Sequence, residues 1–409
     1  MGSGDDRGLA DGRIREAVRD LPLPPPGSVG PPAEYRRLRA ECPAARVRLP
    51  VDAPGWFVTR YADVRDLLAD DRLIRPPVDG WPADADGTDR TRDAQLITMM
   101  ELDGPPHQAL RAAVADAFSL RAVRARRPVI RHQADRLLDE FERGGRPGDL
   151  VAGFAEPFPL LVVCELAGLP YEDRHTFLGP ADAALGALTT QDERHEVARW
   201  LREYITELIE HKHRTPGEDL LTDLVRRRDA GELSTDEVIA FGLSVLVAGY
   251  RTSTMFLANA IHQLLMRPDR LAALRADRSL LPGAVEELLR FLPVMNGPVV
   301  LVATEDIPLH GETIRAGEAV IPVIASANLD ETVFPDAAEL DLGREKNPHL
   351  AFGRGTHNCF GAHLARAELE IGLEALLDRF PRLRLTDRAQ VRWDDDSPAK
   401  SPLTLPVEW

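Results

Sequence analysis

Between residues 352 and 361 the chain reads Phe352-Gly353-Arg354-Gly355-Thr356-His357-Asn358-Cys359-Phe360-Gly361, a cysteine among glycines in a loop that ends where an amphipathic helix begins. A cysteine there meets the helix's free N–H groups and positive dipole end, and both favour thiolate over thiol. Thiolate is the form that binds a metal. Gly353 and Gly355 permit tight left-handed turns, and Gly361 lets a flat macrocycle lie against the helix backbone. A buried structural cysteine at a glycine-rich helix entry is the plainer explanation. A zinc site from His357, Cys359 and His363 is a further one, although the sequence offers no nearby fourth ligand.

Other groupings carry side chains of similar interest. Glu287-Leu288-Leu289-Arg290 sets an acid and a base at i and i+3 on a helix, where they can pair. In Asp103-Gly104-Pro105-Pro106-His107-Gln108-Ala109-Leu110-Arg111, His107 and Arg111 lie one helical turn apart and can reach a single anionic group. Ala248-Gly249-Tyr250-Arg251-Thr252 puts a glycine inside a helix, at a cost of about 1 kcal/mol relative to alanine. A local bulge here could open room for the Thr252 hydroxyl. Taken singly, these are equally a solvated ion pair, a solvated basic turn, and small residues packing against a neighbouring helix.

Together the stretches resemble the cytochrome P-450 family. The decapeptide 352–361 is similar at every fixed position to the bacterial signature Phe-Gly-x-Gly-x-His-x-Cys-x-Gly. Glu287 and Arg290 resemble the family's Glu-x-x-Arg pair, residues 103–111 its Asp-Pro-Pro-x-His-x-x-Leu-Arg stretch, and 248–252 its Ala-Gly-x-acid-Thr oxygen-binding segment. Residues 55–74 look like its early strand-helix unit, so the resemblance covers nearly the whole chain after residue 30. It implies haem b, iron protoporphyrin IX, with Cys359 as the proximal iron ligand whose electron density helps cleave the O–O bond. Phe352, Gly353 and Gly361 complete the cofactor loop on that likeness, and His357, His107 and Arg111 hold the haem propionates. Ala248, Gly249, Arg251 and Thr252 line the oxygen-activating side. Glu287, Arg290 and Arg344 form a buried charge triad that fixes the proximal side.

Two departures from the family pattern stand out. The acid that normally precedes the threonine is Arg251, which cannot carry a proton because guanidinium does not deprotonate at accessible pH. It is left to pair with a nearby acid, face solvent or contact substrate. The family's Arg-x-Ala-x-Glu-Asp strand reads Leu301-Val302-Ala303-Thr304-Glu305-Asp306, so a customary propionate arginine is missing.

The resemblance implies an oxidoreductase, a cytochrome P-450 monooxygenase, oxidising a small organic substrate in bacterial natural-product biosynthesis, in secondary or antibiotic metabolism. Electrons come from NAD(P)H indirectly, through a separate ferredoxin and ferredoxin reductase, since this chain carries no flavin or nicotinamide domain. The two departures also resemble bacterial members that perform oxidative C–C or C–N coupling on aromatic or cyclic-dipeptide-like substrates. A non-catalytic haem-binding sensor is a more distant alternative, and a purely helical interaction protein the most distant. Substrate contacts are expected from 76–100, 175–200 and 294–300 and from the distal face near Ala248.

The elements that must position these residues are mainly α with minor β. On the family likeness they form a triangular-prism fold, with haem between the long central helix and the helix after Cys359. A capping box at Ser234 and Glu237 opens that long helix, whose apolar periodicity runs to about Met266. Leu364, Ala367, Ile371 and Ala375 mark the second. Residues 46–60 and 299–323 alternate β-branched residues with Gly and Pro, as hairpins and a small sheet do. The proline-rich residues 1–30 are expected to be a flexible lead-in and 31–409 a single domain containing the whole site.

Composition narrows the alternatives. The net charge of −16, from 50 basic and 66 acidic residues, repels a phosphate backbone, so no nucleic-acid partner is expected. The 3 cysteines form no CxxC pair and fit a reducing cytoplasm better than a disulfide framework. No eighteen-residue apolar run occurs, so no membrane association is expected.

Overall fold

The computed structural model describes residues 19–20, 32–49, 54–76, 98–185, 191–292, 299–387, 390–394 and 400–409. Helices dominate, and short sheets lie at their margins. The long helix starts where Ser234 Oγ accepts from the Glu237 N–H at 3.2 Å and the Glu237 carboxylate accepts from the Ser234 N–H at 2.7 Å. It runs as Thr235–Ser244, widens into a π segment over Val245–Gly249, and resumes as Arg251–Leu265. The bulge expected around Gly249 is this segment, in which one extra residue per turn displaces the helix surface locally.

Every residue of this helix from Val238 to Ile261 is buried except Ala248, Gly249, Arg251 and Thr252. The wall of the core therefore opens only at the π segment and the turn that follows it. By average hydropathy the helix is long and apolar enough to cross a membrane, although no eighteen-residue stretch of it is uninterruptedly apolar. Its most apolar window is 78% buried within the protein, which accounts for the composition as that of a core helix.

The helix Ala362–Arg379 packs alongside Arg251–Leu265. A Cβ on Gly372 would come within 3.0 Å of the Phe158 ring and 3.7 Å of Leu257, so glycine permits the close approach. Its other side meets helix Leu120–Arg143 through Arg127–Glu370 (2.8 Å) and Arg131–Glu374 (3.3 Å).

A six-stranded sheet orders its strands as Arg19–Asp20, Ala44–Arg48, Pro54–Val58, Ala319–Pro322, Leu301–Ala303 and Leu73–Ile74. The first of these lies in the stretch expected to be a flexible lead-in. Arg19 and Asp20 instead pair in parallel with Val47 and Arg48, because the edge of the strand Ala44–Arg48 offers unpaired backbone groups. The rest of residues 1–30 lies outside the described residues, as do 77–97, 186–190 and 293–298, which hold most of the expected substrate contacts.

Candidate haem site

Cys359 sits at the end of a loop closed by its own backbone: its N–H donates to the Phe352 carbonyl at 2.8 Å, and Asn358 N–H donates to Gly355 O at 3.1 Å. Gly353 and Gly355 have φ of +70° and +75°. At Gly355 a Cβ would also fall 2.5 Å from the Leu68 carbonyl, so both conformation and space demand glycine. Phe352 is partly buried under the Arg366 guanidinium, 4.5 Å from its ring centre. A Cβ on Gly361 would lie 3.9 Å from the Cys359 sulfur. Gly361 thus keeps the helix start bare beside the thiol.

The thiol itself is exposed. Burial of the surrounding loop pushes its pKa up, against the Gly361 N–H and the charges of Arg111 and Arg366, which pull it down. The helix start acts in the direction expected from sequence, but burial outweighs it, so the thiolate expected there is not favoured by the helix start alone. Cys164, by contrast, is buried in the core, and its thiol is pushed up to about 12.

Helix Gly104–Val114 brings His107 and Arg111 to this loop. The Arg111 guanidinium donates to the Asn358 carbonyl at 2.7 Å and to its side-chain oxygen at 3.1 Å. The His107 ring stacks on His357 with centroids 4.2 Å apart. Burial, followed by the charges of His357 and Arg111, lowers the His107 pKa to about 4, so the ring is neutral at physiological pH. His357 Nε2 is 2.7 Å from Asp103 Oδ1. Asp103 occupies the N-cap position of its helix yet makes no side-chain cap, because its other oxygen accepts from the Arg75 N–H at 2.7 Å. A strong capping residue is thereby diverted into the cluster.

Behind the loop, Glu287 and Arg290 are fully buried and doubly bonded, at 2.7 and 2.8 Å. Arg344 Nε donates to the same carboxylate at 3.0 Å, as do the Asn347 amide at 3.1 Å and the Asp341 N–H at 3.0 Å. Arg290 spends its remaining donors on the carbonyls of Asn328, Ala337 and Glu339. Every charged group in this buried cluster is therefore hydrogen-bonded, which such burial requires. Beside it Glu286, which the sequence did not single out, takes hydrogen bonds from His349 and Arg366. Burial pushes its carboxyl up, but these partners outweigh burial and bring it to about 2.

On the long helix, Thr252 Oγ1 donates to the Ala248 carbonyl at 2.9 Å. Gly249 faces Val163, with only ordinary contact distances available to a Cβ. Arg251 pairs with Asp394 at 3.1 Å, both partly buried, so of the fates open to it in the sequence the ion pair is observed. Asp394 lies after strand Arg392–Trp393, which pairs with Pro402–Thr404, and the same face of the helix holds this hairpin at Asn259, whose amide donates to Lys400 O at 2.9 Å. The long helix and the Cys359 loop are linked by a ring contact of 6.3 Å between Phe241 and Phe360 and by the packing of helix Ala362–Arg379 on Arg251–Leu265.

Among the described residues no cluster of three or more His, Cys, Asp and Glu side chains can hold a metal ion, so His357, Cys359 and His363 do not assemble a zinc site. The donor set fits haem: one accessible thiol, a bare helix start beside it, and Arg111, His107 and His357 gathered with Arg75, whose Nε is buried without a partner among the described residues. The sequence singled out neither Arg75 nor Glu368, a carboxyl that is 2% exposed on helix Ala362–Arg379.

Residues 174–398 match the family model described as Cytochrome P450. The chain is 42% identical to nocardicin C N-oxygenase of Nocardia uniformis subsp. tsuyamanensis, over 97% of this chain and 100% of that protein. It is 39% identical to mycinamicin IV hydroxylase/epoxidase of Micromonospora griseorubida, over 92% and 94%. Among solved structures, HinD with NMFT and NO superposes with a TM-score of 0.89 at 40% identity, covering 96% of this chain and 100% of that one. SgvP, a thioether synthase candidate in the tailoring of griseoviridin, gives 0.88 at 37% with the same coverage. With the signature loop, the paired buried charges and the fold in agreement along nearly the whole chain, this protein is a member of the cytochrome P450 family, an oxidoreductase of bacterial type.

Proposed function

We propose that the chain binds haem b through Cys359 and acts as a monooxygenase on a small organic molecule in the tailoring of a bacterial natural product. The observation that carries this reading is an exposed cysteine in a loop against which Arg111 and the stacked His107 and His357 are gathered, in a fold whose long helix opens between Val238 and Ile261 only at 248–252. When bound, haem supplies the one-electron chemistry that activates O₂. Binding the metal would deprotonate the thiol and reverse the upward push of burial. His107, Arg111 and His357 would hold the cofactor's carboxylates, and the Glu287, Arg290 and Arg344 cluster would keep the loop in register. Electrons would come from NAD(P)H through a separate ferredoxin and ferredoxin reductase, with the protein in the cytoplasm as one domain over 31–409.

Thr252 commits its hydroxyl proton to Ala248, so its oxygen is oriented to accept a hydrogen bond from water and steer it. Arg251, bound to Asp394, orders the helix–hairpin contact and moves no proton. That ion pair also favours a second reading, in which a group on the substrate supplies protons and the outcome is oxidative coupling.

Reconstitution with surrogate ferredoxin, reductase and NADPH tests the function. Nocardicin C and mycinamicin IV, the compounds named by two relatives, open a spectral screen of compound classes. A blue-shifted Soret band and substrate-dependent NADPH consumption are expected from at least one class. Haem-loaded protein that consumes no NADPH under any condition would instead be a sensor.

A further inference from the structure

Strands Leu73–Ile74 and Leu301–Ala303 run antiparallel, with Leu73 opposite Ala303 and Ile74 opposite Val302. Continuing that register by one residue sets Arg75 opposite Leu301. Leu301 is buried and apolar at the position where the family pattern carries an arginine. Across the strand pair the cation reappears. Arg75 donates its N–H to Asp103, whose other oxygen meets His357 Nε2, and His357 stacks on His107. Arg75 is close enough for its charge to act on both His107 and Asp103.

The guanidinium lacks an acceptor of its own at Nε, which is buried and unpartnered among the described residues. A buried guanidinium N–H calls for one. Glu101, the other acid nearby, is already engaged, its carboxylate accepting from the Thr98 N–H at 2.8 Å and hydroxyl at 2.5 Å. Asp103 shows that the cluster accepts a carboxylate, and the two guanidiniums that bear on His107, Arg75 and Arg111, supply the charge to hold another.

We propose that Arg75 anchors a carboxylate of the bound haem, supplying from the neighbouring strand the cation that Leu301 cannot. The inference rests on the haem-thiolate reading above, and its test separates the two. Wild type, Arg75→Leu, and Arg75→Leu with Leu301→Arg are each loaded with haem and, separately, with haem dimethyl ester, in which both propionates are uncharged. The rate of transfer to excess apomyoglobin is then followed optically. With haem, Arg75→Leu should lose cofactor faster by about tenfold to a hundredfold, the range for one charge-assisted hydrogen bond, and Leu301→Arg should restore most of that loss. With the dimethyl ester, wild type and Arg75→Leu should release cofactor at the same rate. Equal rates with haem, or the same ratio with haem and ester, would overturn the proposal. Should Arg75→Leu fold poorly, Arg75→Gln replaces it in the same comparison with the same outcomes. A thiolate-type ferrous-CO spectrum in wild type with no effect of Arg75 would sink this inference alone; loss of that spectrum in wild type would sink the haem-thiolate reading beneath it.

Discussion

Glu287 and Arg290 form an ion pair in which neither side chain has exposed surface. Removing Glu287 leaves Arg290 and Arg344 buried without a counter-ion, and removing Arg290 leaves the carboxylate to Arg344 alone and strips the donor from three carbonyls, so Glu287→Ala or Arg290→Ala should cost about 3–5 kcal/mol and yield little haem-loaded soluble protein. Normal haem content and melting temperature in both variants would contradict this role. Glu368 poses the opposite case, a lone carboxyl that burial pushes up to about 8 against a hydrogen bond with Ser253. Its folded-state value lies above the ordinary 4.5, so the native state keeps a proton that the unfolded chain releases. The stability this contributes is complete below 4.5 and is lost as pH rises through about 8. Relative to Glu368→Gln, the wild type should lose stability over that window with a slope of up to about 1.4 kcal/mol per pH unit. Denaturant melts at several pH values check it, and parallel curves would contradict it. At this scale the sequence was legible where the pattern is local, as for the glycine-bounded loop that holds His357 and Cys359 and for the Glu287–Arg290 pair. Arg75, Asp394 and Glu368 were not legible, since their partners come from distant segments and no local pattern encodes such contacts.

The Cys359 loop and the long helix show how elements constrain residues. Gly355→Ala would impose a left-handed φ on alanine and drive its Cβ into the Leu68 carbonyl. Stability should fall by more than about 1 kcal/mol, with haem content falling too; an unchanged melting temperature would show that the loop relaxes freely. On the long helix, the capping box and the glycine in Ala248-Gly249 were sequence signals that correspond to a helix start and a π segment. What the sequence could not show was the hairpin across from Arg251, since residue 394 reaches the helix only through tertiary pairing. Arg251→Asp would set a second carboxylate against Asp394, so it should lower stability and leave coupling no better, and adding Asp394→Arg should recover the stability. Thr252→Ala should slow product formation and divert electrons to peroxide if threonine and water carry the protons. Product formed per NAD(P)H consumed decides this, and unchanged coupling in Thr252→Ala would favour protonation by the substrate.

For the whole molecule, the site draws on residues from Arg75 to Asp394, and no segment contains it alone. Helix class and the order of the main elements followed from periodicity and capping, whereas the parallel pairing of Arg19–Asp20 did not, because two residues carry no pattern. The long helix also shows why hydropathy alone misleads: its apolar surface is explained by the core that surrounds it. The proposed function rests on one atom, the Cys359 sulfur, as the protein's proposed ligand to haem iron. The most direct measurement is the ferrous-CO absorption spectrum of the haem-loaded wild type and of Cys359→His. The strongly red-shifted Soret band of thiolate ligation should appear in the wild type and vanish in Cys359→His while haem is still bound. Retention of that band in Cys359→His would contradict ligation of the iron by the Cys359 thiolate.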